Sequence, residues 1–139
     1  MGYLCLEAEK ENLDAVLQPM LRDISFSGGT KKFQTIISIA VEEVFVNIAN
    51  YSYEEKGMAE ISWEITPERG FFVTFLDEGI PFNPLKKKEP DIHTPPQKRP
   101  PGGMGIFLVK KWMDGVSYEY KEGKNCFSMW KKMDLEQDT

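Results

Sequence analysis

Histidine is nearly absent: His93 is the only one in 139 residues. A zinc site, a Ser-His-Asp triad or a phosphorelay from a dedicated histidine is hard to build from one such residue in a loop. Cysteine is scarce as well. Cys5 and Cys126 are far apart and fit no metal or redox spacing, which reads as two reduced thiols in a cytoplasmic protein. No apolar run approaches the roughly 20 residues that cross a bilayer, and no basic segment followed by an apolar one opens the chain, so no membrane role is expected. Positive charge is also in short supply. Lys and Arg number 17 against 22 Asp and Glu, a net charge of −5, and the basic residues that cluster do so in one loop. That pattern leaves nucleic-acid binding without an electrostatic footprint. The length suits one domain over 1–135 with a tail at 136–139.

What is present is an ordered alternation of periodic segments. An apolar run over 3–8 suits an edge strand. Leu13, Val16, Leu17, Met20, Leu21 and Ile24 recur at helical spacing over 10–24, a single apolar stripe. Gly28 and Gly29 break it, and Thr30 is placed to cap a second helix running to about residue 52. Apolar residues cover nearly the whole circumference of that helix, which predicts a central, buried position. Residues 59–66 and 70–76 read as a hairpin. Prolines 84, 90, 95, 96, 100 and 101 then exclude regular helix. A helix from 103 to about 113 is expected to end at Gly115, and 116–121 with 126–133 make a last hairpin around Glu122-Gly123-Lys124-Asn125. Residues 135–139 read as a frayed tail.

Three stretches carry chemistry. Phe71-Phe72-Val73-Thr74-Phe75-Leu76 is a strand that delivers the carboxylate of Asp77 to the sheet edge. An ionised Asp accepts a hydrogen bond from an exocyclic amine, and Gly79, lacking a Cβ, lets a flat ring approach the backbone; together they suit adenine. Gly102-Gly103-Met104-Gly105 opens an apolar helix, leaving backbone N–H groups and the positive helix end to face an anion such as a phosphate. The loop between holds Lys86, Lys87, Lys88, Lys98 and Arg99 against Glu89 and Asp91. It suits a cationic lid, with Lys98 and Arg99 toward the phosphates and Lys86 to Lys88 as solvated surface. The third stretch lies on the central helix, where Glu43 and Asn47 share a face with Asn50 three residues on. Glu42-Glu43 as a solvated face explains at most one of the two acids. A glutamate four residues before an asparagine beside a nucleotide strand suits a proton acceptor next to a Mg²⁺ ligand.

The order of these motifs is more specific than any one of them. Glu43-Val44-Phe45-Val46-Asn47, then Asp77-Glu78-Gly79-Ile80-Pro81-Phe82-Asn83-Pro84, then Gly102-Gly103-Met104-Gly105-Ile106-Phe107-Leu108-Val109 resembles the N-box, adenine box and second glycine box of the GHKL (Bergerat-fold) ATPases. Within them it resembles the small anti-sigma-factor serine/threonine kinases of bacteria, and Gly123-Lys124-Asn125-Cys126-Phe127-Ser128-Met129 is similar to their ending. The resemblance implies an α/β (α+β) two-layer sandwich: a mixed, mostly antiparallel sheet with helices on one face. It implies ATP and Mg²⁺, with Glu43 as general base, Asn47 on the metal, and Asn50, Tyr51, Asp77, Gly79, Phe82 and the glycine segment around the nucleotide. It also implies phosphorylation of a serine on an anti-anti-sigma (STAS-like) protein, sequestration of a sigma factor, and a homodimer. Tyr51 stands where many relatives have histidine and Pro81 where the wider adenine box has glycine. The late threonine near adenine falls at Cys126 or Ser128.

Overall fold

The protein, seen here in a computed structural model, is described over residues 1–53, 57–86 and 103–136, excluding the side chains at 86 and 103–105. Strand β1 (Gly2–Glu7) leads through a 3-10 turn (Lys10–Asn12) into helix α1 (Leu13–Phe26). Helix α2 (Lys31–Asn47) runs on into a π-helical turn (Ile48–Ser52). Strands β2 (Met58–Thr66) and β3 (Gly70–Asp77) form a hairpin, followed by a 3-10 turn (Pro84–Lys86), helix α3 (Gly103–Trp112) and the hairpin of β4 (Gly115–Lys121) and β5 (Lys124–Lys131). The strands lie in the order β1-β2-β3-β5-β4. Among the described residues all four pairings are antiparallel. The two-layer α/β reading therefore stands, and its "mixed" element is corrected: β2–β3 and β4–β5 are hairpins, which can only pair antiparallel, and β1 and β5 join the hairpin edges in the same sense.

Strand alternation divides the sheet into two faces. Ile61, Trp63, Phe71, Val73, Phe75, Phe127 and Met129 are buried toward the helices, where they join Val16, Met20 and Ile24 of α1 and Phe33, Ile37, Val41 and Phe45 of α2. Each such side chain contributes about 1.5–3 kcal/mol by leaving water. Thr30 caps α2 as its position predicts, its Oγ1 accepting from Phe33 N at 3.1 Å. Burial around α2 is less complete than its composition suggests, for Ile39 is exposed and Ile36 and Val46 are half-buried. One side of the helix keeps an apolar surface that the sheet does not cover.

Three local expectations are corrected. Helix α3 stops at Trp112, and Gly115 opens β4 instead of capping the helix; a Cβ there would lie 2.1 Å from the Trp130 ring, so the glycine makes room for an indole. The final turn is only Glu122-Gly123, both with positive φ (55° and 79°) as a two-residue I′ hairpin requires, so Lys124 and Asn125 belong to β5. Residues 135 and 136 are not frayed: Leu135 bridges Gly29, and Glu136 N donates to the Gly28 carbonyl at 2.8 Å.

Candidate nucleotide site

The site forms where the C-terminal end of β3 meets the C-terminal end of α2. Asp77, the last residue of β3, is only 3% exposed, although a carboxylate at a strand end usually reaches water. Its Oδ1 accepts from Gly79 N at 3.0 Å and from Asn125 Nδ2 at 2.9 Å. Among the described residues no hydrogen bond falls on Oδ2. That oxygen is the open acceptor of the group.

The loop after Asp77 is fastened to the end of α2 at consecutive residues. Tyr53 Oη accepts Glu78 N–H at 2.7 Å while donating to the Met58 carbonyl at 2.7 Å. Ser52 O accepts from Ile80 N at 2.9 Å, and the Tyr51 ring stacks on Phe82 at 5.3 Å between centroids. Gly79 lies between these contacts. A Cβ on it would sit 2.1 Å from Ser52 O. The missing side chain therefore lets the loop close on the helix end. Burial holds the Tyr53 hydroxyl above the usual tyrosine range, so it is neutral and able to donate and accept at once.

Glu43 and Asn47 are brought together as their spacing predicts. Asn47, 4% exposed, donates through Nδ2 to Glu43 O at 2.7 Å and Glu43 Oε1 at 3.0 Å. A backbone carbonyl can only accept, so Nδ2 is the atom facing it and Oδ1 turns away from the acid. Glu43 is half-buried and Glu42 exposed, so the solvated-face reading holds for Glu42 alone. Asn50 does not continue the line; it is exposed in the π turn, where helical i,i+3 spacing no longer applies. Gly103, Met104 and Gly105 form the first turn of α3, at the start expected for a phosphate-facing end. Lys98, Arg99 and Gly102, with the lid expected over 87–102, lie outside the described residues.

Asn125 is the site residue that sequence reasoning missed. Strand register sets it directly opposite Asp77, while Cys126 and Ser128 pair with Leu76 and Thr74 on the other face of the sheet. The last polar group beside Asp77 is therefore an asparagine, not either candidate for the late threonine, and Ser128 is spent on a 2.9 Å bond with Thr74. A shorter turn in the final hairpin would have revealed it.

A buried acid at a strand end, a glycine loop locked to a helix, and an acid–amide pair on that helix together define a histidine kinase-like ATPase domain. The model of that family matches residues 6–131, and the chain belongs to it. Among curated proteins, the chain is 26% identical over 96 residues to an anti-sigma F factor of Clostridium acetobutylicum, covering 69% of this chain and 67% of the relative. It is 30% identical over 92 residues to a serine-protein kinase RsbW of Bacillus cereus, covering 63% of this chain and 57% of that kinase. The chain thus spans less than two thirds of the kinase's length. A crystal structure of RsbU and RsbW domains from Mycobacterium tuberculosis shares the fold, with a TM-score of 0.64 at 12% identity over 100% of this chain and 35% of that one. No helix among the described residues is long and apolar enough to cross a membrane.

Proposed function

We propose that this chain is an ATP-dependent serine protein kinase of the anti-sigma type, acting on a serine of a small anti-anti-sigma regulator in the cytoplasm and sequestering a sigma factor. The observation that carries the reading is the Glu43–Asn47 pair, 3.0 Å between Nδ2 and Oε1, on the helix whose end is fastened to the Asp77 loop. Asp77 and Asn47 suit the group they would hold. Asp77 offers a carboxylate oxygen with no bond among the described residues, apt for an exocyclic amine. Asn47 offers an amide oxygen turned from the acid, the hard donor Mg²⁺ takes when phosphates supply the rest. Bound ATP supplies the phosphoryl group, and its Mg²⁺ neutralises charge on the phosphates.

The protein's own part is positioning and proton transfer. A serine hydroxyl is a weak nucleophile at neutral pH, and a carboxylate within reach accepts its proton as attack proceeds, an effect of about 10²–10⁴ in rate. Glu43 fits that role, and its bond from Asn47 ties the base to the metal ligand. We place the phosphate contacts on Lys98, Arg99 and the 102–105 segment, and the catalytic unit in 1–135.

The second reading, a nucleotide-responsive switch that sequesters its partner without efficient transfer, is favoured by the likeness to a protein named only as an anti-sigma factor. Glu43→Gln separates the two. It keeps the size of the side chain and removes its basicity, so Mg-ATP and the partner should bind as to wild type while phosphoserine formation falls by a hundredfold or more, within the range of about 10²–10⁴ for a positioned base. The measurement is the intact mass of the co-purified partner after incubation with Mg-ATP; no phosphorylated species from wild type at any time retires the kinase and leaves the switch.

A further inference from the structure

Asn125 is buried (4% exposed) and its amide is saturated. Nδ2 donates to Asp77 Oδ1 at 2.9 Å and to the Ile80 carbonyl at 2.8 Å, with the Gly79 carbonyl at 3.5 Å. Oδ1 accepts from Phe82 N at 3.0 Å and from the Tyr118 hydroxyl. Two of these partners cannot change polarity: the Ile80 carbonyl only accepts and the Phe82 N–H only donates. They fix which way the amide points. One Nδ2 hydrogen goes to Ile80, so the other is aimed at Asp77.

The consequence falls on the carboxylate. With Oδ1 held by Asn125 on one strand and by Gly79 N–H in the loop, the plane of Asp77 is set by two fixed donors, and Oδ2 is left as the acceptor presented to a ligand. From this geometry we infer that Asn125 is a positioning residue for base selection: it holds Asp77 in the one orientation that reads the exocyclic amine of a 6-aminopurine. It acts through Asp77 and through the 79–82 backbone that it clamps. Tyr118 supports it in turn, by donating to the amide oxygen. This inference rests on the reading that a nucleotide binds at Asp77.

The test compares two nucleotides that differ only in the amine: ATP and purine riboside 5′-triphosphate, each titrated calorimetrically with Mg²⁺ into the full chain. Wild type should prefer ATP by about tenfold or more, the size of one hydrogen bond to a charged group. Asn125→Ala should lose most of that preference by weakening ATP while holding the amine-free nucleotide within about twofold. Tyr118→Phe, which removes one hydroxyl and leaves the amide in place, should lose a smaller part of the same ratio; it decides the question if Asn125→Ala does not melt cooperatively. An equal loss for both nucleotides, or an unchanged ratio, overturns the inference alone, because a merely structural asparagine would weaken the site without regard to the amine. Absence of any nucleotide binding by wild type overturns the nucleotide reading itself, and this inference with it.

Discussion

The two carboxylates of the proposed site are held in opposite ways. Asp77 takes its bonds from Gly79 in the loop and from Asn125, 48 residues away on a neighbouring strand. Glu43 is met by Asn47, four residues along the same helix. The first acid is a product of tertiary structure and the second of helical geometry. The comparison teaches where each is vulnerable. Asp77 depends on strand register, on the closeness of Gly79 to Ser52 and on a buried amide, so distant changes should reach it. The bonds between Glu43 and Asn47 run within α2, one turn apart, so changes at the sheet should disturb them less than they disturb Asp77.

The sharpest way to break that asymmetry is Gly79→Ala. A methyl group 2.1 Å from the Ser52 carbonyl forces the loop off the helix end, because neither partner is a flexible side chain. Overpacking of this kind costs about 1–3 kcal/mol, sometimes more. Urea unfolding should register the loss, and nucleotide affinity should fall with it; an unchanged midpoint would mean the loop does not close on Ser52 in solution. Asp77→Asn comes next, since it keeps the fold's shape and alters one acceptor. Loss of a hydrogen bond to a charged group costs about 1.5–3 kcal/mol, or tenfold and more in ATP affinity. Titration calorimetry giving wild-type affinity would remove Asp77 from the site.

A milder probe is alkaline pH. Burial, the larger cause, holds the Tyr118 hydroxyl above the usual value of 10.0, and burial does the same for Tyr53. As pH rises past 10 the unfolded chain sheds these protons before the folded one does. Stability is therefore complete below that pH and is lost as pH climbs through the raised folded values. Tyr118→Phe, which cannot ionise, should flatten part of the decline between neutral and strongly alkaline pH. Urea midpoints falling equally in both proteins would show that Tyr118 titrates as an ordinary exposed phenol.

The same asymmetry explains what could be read from the residues alone. Glu43 and Asn47 were legible because i,i+4 neighbours meet on any helix, whatever surrounds it. Thr30 was legible as a cap for the same local reason, and Asp77 as the acid that ends an apolar strand. Asn125 was hidden by its setting. Glu122-Gly123-Lys124-Asn125 is rich in turn formers, and only the pairing of β5 with β3 shows that the hairpin closes on Glu122-Gly123 and sends Asn125 inward. Gly115 misled similarly, since a glycine after an apolar helix looks like a stop until Trp130 is seen across the strand. Long-range register, not propensity, separates the legible residues from the rest.

The smallest expected effect belongs to Glu42, and it sharpens the comparison from the other side. Glu42 and Glu43 are adjacent and chemically identical, and differ only in the face of α2 that each occupies: Glu42 is exposed and Glu43 is half-buried against Asn47. An exposed glutamate in the middle of a helix loses little when its charge is removed, within about 0.5 kcal/mol of wild type. Glu42→Gln should therefore leave urea stability, Mg-ATP affinity and partner phosphorylation where they were, while Glu43→Gln stops transfer alone. The pair of variants is read in one assay, the intact mass of the partner over time. Equal loss in both would place the effect in the net charge of the helix and not in a base.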